Sequence, residues 1–392
     1  MPLFMRLFSP VPDDTHRTAQ NCRRRQLQNV DVDNGMAGHA ACATVTSART
    51  KGNRLQTIRD VAARAGVSDR TVSRVVNGEP NISGKTRARV MEAIDALNYI
   101  PNLAARMVRT NRSGVIGLIT DVVSTTPNSV EIIRGVQDRV SRASQSLLIA
   151  NTSGSDDGEA KIWRTFQEHR IDGVLYATMY HHATAFDPEA HRIPTVLVNC
   201  FAAGRDDVAA VVPDDVEGGY RAARHAIDQG HERIAFVTLN PIILAAELRR
   251  QGFDRALAEA GIAPRPDWIR PGISGPLDAE ETRAFAVAHE LLSVPAADRP
   301  TIILAGNDEI AMQCLFAAAQ LGLAVPDQVA VVGFDDFKMI SERVVPPLTT
   351  VALPYYDIGI RAADKLFALL AGEDEQPLVE RLPCPLVRRQ SA

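Results

Sequence analysis

The stretch TIRDVAARAGVSDRTVSRVVNG, residues 57–78, decides the reading of this 392-residue chain. Ile58, Val61, Ala62 and Ala65 recur at helical spacing, so one face of the first segment is apolar. Thr57 suits an N-cap, and Asp60 three residues later completes a capping-box-like start. Gly66 breaks that helix, because a residue without Cβ takes a left-handed turn without a steric penalty. Ser68 caps a second helix whose apolar positions are Val72, Val75 and Val76. Asn77-Gly78 ends it and Pro80 stops its return. Further along, Ser83 caps a third helix with Val90, Ile94 and Leu97 on one face, and Pro101 closes it. Three short helices, the first two joined by a tight glycine turn, predict a helix-turn-helix unit.

With Val72, Val75 and Val76 turned to a core, the second helix presents Asp69, Arg70, Ser73, Arg74 and Asn77 outward. A recognition helix meets base edges near its N-terminal end. There an arginine bonds guanine O6 and N7 together, and an aspartate accepts from cytosine N4. Ser68, Thr71, Ser73, Ser83 and Thr86 place short hydroxyls at helix starts, where hydroxyls and free N–H groups hold phosphates. Capping uses the same hydroxyls, and an Asp69–Arg70 pair in solvent is the plain alternative for those two side chains.

Charge is divided unevenly around this unit. Residues 52–112 hold 11 Lys/Arg against 5 Asp/Glu, and residues 1–51 hold 7 against 4. The remainder holds 25 against 38, a net of −13 beside +6 and +3. Phosphates attract the basic part and repel the acidic bulk; a solvated charged surface would give the same balance.

Residues 1–52 lack helical or strand periodicity and read as a disordered extension, with Met36 a candidate start and Arg23-Arg24-Arg25 a solvated run. The apolar opening meets Pro10 and Pro12 too soon for a secretory segment, and no apolar run approaches the roughly 18 residues of a membrane span. The five cysteines are odd in number and widely spaced, without a CxxC, so neither a disulfide framework nor a zinc site is expected. A cytoplasmic protein with no metal or cofactor fits.

Beyond Arg112 the rhythm is strand, helix, strand. Apolar runs lie at 115–119, 147–150, 173–177, 195–198, 234–237, 301–305 and 329–334, with helical stretches at 130–142, 159–169, 216–229, 245–260, 279–292, 309–321 and 356–370. Such alternation predicts α/β architecture with parallel sheets covered on both faces. Seven units exceed one typical domain and suggest two lobes, with a ligand between them at the strands' carboxyl ends.

Residues 57–78, followed by Ser83-Gly-Lys-Thr-Arg and Leu97-Asn-Tyr-Ile-Pro-Asn, closely resemble the head of the lactose-repressor (LacI/GalR) family. The likeness continues through Ile116-Gly117, Asp172-Gly173, Gly230-His-Glu-Arg-Ile, Gly306-Asn307-Asp308, Val331-Val-Gly-Phe-Asp335-Asp336 and Pro346-Pro-Leu-Thr-Thr-Val. It runs from Leu55 to the C-terminus. It implies an all-α helix-turn-helix head at 53–100, a hinge at 101–112, and a two-lobed periplasmic-binding-protein-like (type I) α/β domain at 113–392. The first lobe would span about 113–213 and 354–380, the second about 214–353 and 381–392. It also implies a homodimer, or a tetramer, on pseudo-palindromic double-stranded operator DNA.

By the resemblance, Asp69, Arg70 and Arg74 match base-reading positions, with Asn77 and Asn81 alongside and Thr57 among the DNA contacts. Residues 102–109 match a segment that becomes helical on DNA and enters the minor groove. Val108 stands where the family usually has a leucine wedge, and Arg106 and Arg109 supply charge. Arg249, Asn307 and Asp335 match effector contacts, and Tyr355 a position lining the cleft. An arginine, an amide and a carboxylate converging on a cleft hold the hydroxyls of a sugar or polyol. Arg249 pairing with a nearby acid and Asp335 capping a turn are the structural alternatives. Two departures stand out: Ile273 replaces a common aromatic platform, and Pro127-Asn128-Ser129 replaces an aromatic-bearing segment. Fewer stacking faces argue against a purine, while Asn128 and Ser129 favour hydroxyl-rich ligands. Trp163, Tyr176, Tyr180 and Trp268 are potential ring donors to the ligand but are expected in the core or on the surface, and His181-His182, a metal candidate in name only, is expected in a loop.

The resulting expectation is a transcriptional repressor whose operator affinity a small sugar or polyol controls. A purine- or nucleoside-responsive regulator of the same family and a sugar-binding protein of a transport system are the alternatives. No GxGxxG after a strand, P-loop, GxSxG or HExxH points to an enzyme.

Overall fold

A computed structural model describes residues 56–76, 78–99, 112–121, 126, 130–152, 156–277, 279–373, 376 and 378–392. Asn77, Arg106, Val108, Arg109, Asn128, Ser129 and the extension before residue 56 lie outside the described residues. The chain separates into two compact units, residues 1–100 and 101–392.

In the first unit, α1 (Ile58–Ala65), α2 (Asp69–Val76) and α3 (Gly84–Leu97) enclose Val61, Ala62, Ala65, Val72, Val75, Val90 and Ala93. Gly66 ends α1 at φ 62, and the side chain of Arg89 on α3 donates to the carbonyls of Ala65 and Gly66, tying the turn to α3. Val76 departs from expectation. It is 37 % exposed, because it lies at the edge of the apolar stripe and at the last residue of α2.

The second unit holds two sheets. Its elements in chain order are β1 (Val115–Thr120), α4 (Val130–Arg142), β2 (Ser146–Asn151), α5 (Asp156–Glu168), β3 (Gly173–Thr184), α6 (Pro188–His191), β4 (Thr195–Ala202) and β5 (Ala210–Pro213). There follow α7 (Asp215–Asp228), β6 (Ile234–Thr238), α8 (Leu244–Glu259), β7 (Ile269–Pro271), β8 (Ile273–Ser274), β9 (Glu281–Thr282), α9 (Ala284–Leu292), β10 (Ile302–Ala305) and α10 (Asp308–Gln320). The last are β11 (Ala330–Asp335), α11 (Lys338–Ser341), β12 (Thr349–Ala352), α12 (Tyr355–Ala371), β13 (Val379–Leu382) and β14 (Leu386–Val387).

The first sheet has the order β13-β5-β4-β3-β1-β2 and is parallel throughout. The second has the order β14-β12-β11-β10-β6-β7 and is parallel except for β14 on β12. Central strands such as β4 and β10 are buried on both faces, as helices on both sides of a parallel sheet require. Each sheet accordingly carries two core clusters, one around Ile132, Val136 and Leu366 with another around Phe166 and Leu197, and one around Ile303 and Leu315 with another around Phe253 and Val332.

The chain crosses between the sheets after β5, after β12 and after β13. The last crossing, expected after residue 380, falls after Leu382, whose register pairs with Pro213 of the first sheet. Helix α9 starts five residues later than periodicity suggested, because Glu281–Thr282 pairs antiparallel with Ile273–Ser274 as a small hairpin. β5, β12 and β13 escaped the sequence reading: AVVP is short, TTVA begins with two buried threonines, and VERL alternates with charge. β3 runs on to Thr184 through an irregularity opposite β4, so His181 and His182 sit in a strand rather than a loop.

Candidate functional site

The outward face of α2 carries Asp69 and Arg70, both exposed, with Ser73 and Arg74 partly covered. Asp69 lies 3.7 Å from Arg59 on α1 rather than pairing with Arg70. Arg74 donates from Nε to Glu79 at 2.7 Å, and Arg87 donates to the Glu79 carbonyl at 2.8 Å, which fixes the segment after α2 against α3. Asn81 is exposed in that segment.

The hydroxyls anticipated at helix starts are engaged in capping. Ser68 Oγ accepts from the N–H of Thr71 at 3.2 Å and lies 2.9 Å from its hydroxyl. Ser83 and Thr86 repeat that geometry at 3.2 and 2.9 Å. The Asp60 carboxylate accepts from both the N–H and the hydroxyl of Thr57 at 2.7 Å. Capping orders the first turn and leaves its remaining N–H groups pointing out along the helix axis, the arrangement that receives phosphate.

In the second unit a cavity of about 230 Å³ lies where the two sheets' carboxyl ends face each other. Arg249, Asn307, Asp335, Ile273 and Tyr355 all line it. Tyr180, expected in the core or on the surface, lines it as well, and Phe337 joins it. Trp163, Tyr176 and Trp268 belong to the cores. Asp215, His181, Asn199, Glu280 and Glu309 complete the polar wall and had no motif to announce them.

Arg249 is the hub. It is 4 % exposed and sits on α8 with its guanidinium 3.6 Å above the Phe334 ring. Nε donates to Asp215 Oδ1 at 2.8 Å, and Nη1 donates to the Gly306 carbonyl and lies 3.6 Å from Asp335 Oδ1. The other oxygen of Asp215 lies 2.8 Å from His181 Nδ1. Asp215 opens α7 in the second lobe and His181 lies on β3 in the first, so this buried pair joins the lobes at the cavity wall. Burial alone would raise the Asp215 carboxyl; Arg249 and His181 outweigh it and hold the group below the ordinary carboxylate range.

Asp335 is opposite in character. Burial pushes its carboxyl well up, Arg249 only partly offsets this, and Asp308, Asp215 and Glu309 add to the rise. The backbone there is left-handed, φ 106 at Asp335 and φ 54 at Asp336, a conformation that costs about 1–3 kcal/mol per residue. It sends the two carboxylates different ways. Asp336 takes Arg389 at 2.7 Å and Ser341 at 2.9 Å, while Asp335 turns to Arg249 and the cavity.

Asn307 caps α10 by accepting from the Ile310 N–H at 2.8 Å and lines the cavity. Next to it Asp308 accepts from Thr350 at 2.6 Å and from the Phe337 N–H at 2.7 Å, and burial pushes its carboxyl up to about 7. Asn199, φ 59 and 2 % exposed, donates to the carbonyls of Thr178 and Met179 at 3.0 and 2.9 Å, while its Oδ1 has no partner.

His182 donates to the Tyr180 carbonyl at 2.7 Å, and among the described residues no group of three or more His, Cys, Asp or Glu side chains could hold a metal ion. No helix of the described residues is long and apolar enough to cross a membrane.

Residues 57–102 match the model of bacterial regulatory proteins of the lacI family, and residues 223–392 match a periplasmic-binding-protein-like domain. The HTH-type transcriptional repressor PurR of Mannheimia succiniciproducens is 32% identical over 339 residues, covering 86% of this chain and 98% of that protein. A LacI-family transcriptional regulator protein from Rhizobium etli, solved as a crystal structure, shares 46% identity over 72% of this chain and 99% of its own, at a TM-score of 0.67. The lac repressor dimer bound to operator and the anti-inducer ONPF is 26% identical over 86% of this chain and 98% of its own, at a TM-score of 0.69.

Proposed function

The chain belongs to the lacI family of bacterial regulatory proteins and is a DNA-binding transcriptional repressor, and from that premise we propose that a small neutral sugar or polyol held between its lobes controls its affinity for operator DNA. Acting in the cytoplasm as a homodimer, it presents two heads to a pseudo-palindrome, a mode in keeping with the operator-bound lac repressor dimer.

Asp69 and Arg70 read base edges from the exposed start of α2, with Arg74, Ser73, Asn77 and Asn81 beside them. The first turns at Thr57, Ser68, Thr71, Ser83 and Thr86 hold phosphates. Residues 102–109 order on the operator and place Val108, Arg106 and Arg109 at the minor groove.

The buried Arg249–Asp215–His181 set carries the ligand-control reading. It ties groups of the second lobe to a strand of the first at the same wall that Asn307, Asp335 and Tyr355 present to a ligand, and family likeness adds Asn128 and Ser129 as candidate contacts. A ligand that bonds those groups favours one lobe angle over another and so shifts the population competent for DNA. The fit is tested by operator binding in fluorescence anisotropy, with and without each sugar that raises the melting temperature of the purified dimer. A stabilising sugar that leaves operator affinity unchanged overturns the reading.

One observation favours a second ligand class. Tyr180 and Phe337 bring rings to the cavity beside the expected Tyr355, and rings can stack on a purine base. Stabilisation by nucleosides and not by sugars would select it.

A further inference from the structure

We propose that the cavity selects its effector by charge, accepting a neutral or cationic molecule rich in hydroxyl or N–H donors and rejecting phosphorylated or carboxylated ones. The proposal rests on the reading of this cavity as the effector site and narrows the ligand class within it.

Anion sites in proteins keep a cation or a set of N–H donors available to the ligand. Among the described residues lining this cavity, Arg249 and His181 are the basic side chains, and both are already engaged with Asp215 at 2.8 Å. Arg249 is further committed to the Gly306 carbonyl and the Phe334 ring. Against these two stand four acidic side chains in the wall, Asp215, Glu280, Glu309 and Asp335, of which burial pushes the Asp335 carboxyl well up. Asp215 engages both basic groups, and Glu280 and Glu309 beside it make the surplus at the wall negative.

A second observation points to a donor-bearing ligand. Asn199 is 2 % exposed and lines the cavity, and its amide is spent on two backbone carbonyls, leaving Oδ1 as a buried acceptor without a donor. A buried acceptor left unmatched is costly, and a hydroxyl or ammonium hydrogen supplies what it lacks. The Asp335 carboxyl sits in the same wall, 3.6 Å from Arg249. An incoming phosphate would meet the Glu280 and Glu309 carboxylates, with both basic side chains of the wall already engaged by Asp215. An incoming amine would meet two carboxylates, Glu280 and Glu309, able to accept its hydrogen bonds.

The test is thermal shift of the purified full-length dimer with matched ligands. Glucose, galactose, mannose, fructose, ribose and xylose are each compared with their phosphate ester, the hexoses also with their amino sugar, and inosine and guanosine with their monophosphates. The expected result is stabilisation by a neutral member, at least as much by its amino form, and at least a tenfold weaker apparent affinity for the phosphate. A phosphate ester that binds as tightly as its parent overturns the charge assignment while leaving effector control in place. A nucleoside that binds while its monophosphate and every sugar fail upholds the charge assignment and overturns the sugar reading. No stabilisation by any member overturns both.

Discussion

Asp215 accepts the Nε–H of Arg249 across 2.8 Å, and both side chains are almost wholly out of water. The two residues lie on neighbouring helices, α7 and α8, which pack so closely that the geometry of one fixes the other. Because the same carboxylate also reaches His181 on the opposite lobe, the position of the cavity-lining arginine is coupled to the junction between lobes.

Replacing Asp215 with asparagine leaves a buried guanidinium without its charge partner. Breaking a buried pair from one side costs about 3–5 kcal/mol, so Asp215→Asn should lower the urea midpoint markedly. The folded carboxyl lies below its ordinary range, so its contribution is present above the unfolded value and is lost as pH falls through the folded one. The wild-type chain should therefore lose this increment only in acid, and the variant should lack that part of the slope. An unchanged midpoint at neutral pH would show that Arg249 does not depend on the pair.

Asp335→Asn should act in the other direction on the free protein. Burial raises the Asp335 carboxyl well above its ordinary range, so keeping it ionised near neutrality costs stability. The amide removes that cost, and the melting temperature without ligand should rise. Operator release by the effector should be lost in the same variant, separating stability from response.

The Asp308 carboxyl, held up to about 7 chiefly by burial, keeps a proton in the folded chain that the unfolded chain has already released. Stability from this group is present below its unfolded value and declines as pH rises from there toward about 7. Asp308→Asn should flatten that decline in urea titrations run across the interval. A variant with the wild-type slope would assign the decline to another group.

Gly252→Ala tests the α7–α8 crossing. A Cβ there would fall 2.0 Å from the Val216 carbonyl oxygen, and the facing Gly219 is as tightly placed, 2.2 Å from the Arg249 carbonyl. Backbone cannot yield as a side-chain tip does, and overpacking of this kind costs typically about 1–3 kcal/mol. Because α8 carries Arg249, ligand affinity should fall together with the denaturation midpoint. A variant that keeps both would show that the helices can separate freely.

Arg70→Ala should weaken operator binding by about 1–3 kcal/mol and relax preference at one base pair. Competition against operators altered singly at each position reads this out. Equal loss on every sequence would make Arg70 a phosphate contact.

The head was legible residue by residue because its signals are local: apolar spacing, hydroxyl caps at Ser68 and Ser83, and a left-handed Gly66 all act within one or two turns. Alternating apolar runs gave the parallel α/β plan of the second unit for the same reason, since strands buried on both faces are continuously hydrophobic. Arg249, Asn307, Asp335 and Tyr355 were located by family likeness, and the fold brings all four to one cavity. Tertiary structure alone decided the partners of Arg249. His181 and Arg249 each stand 34 residues from Asp215, with no periodicity linking the three. Which buried charges meet depends on where the chain crosses between sheets, and so do the positions of Asn199 and Tyr180 on the first lobe's wall. Electrostatic pairing out of water is set by distances of a few ångströms between distant segments, and only the packed chain fixes those distances.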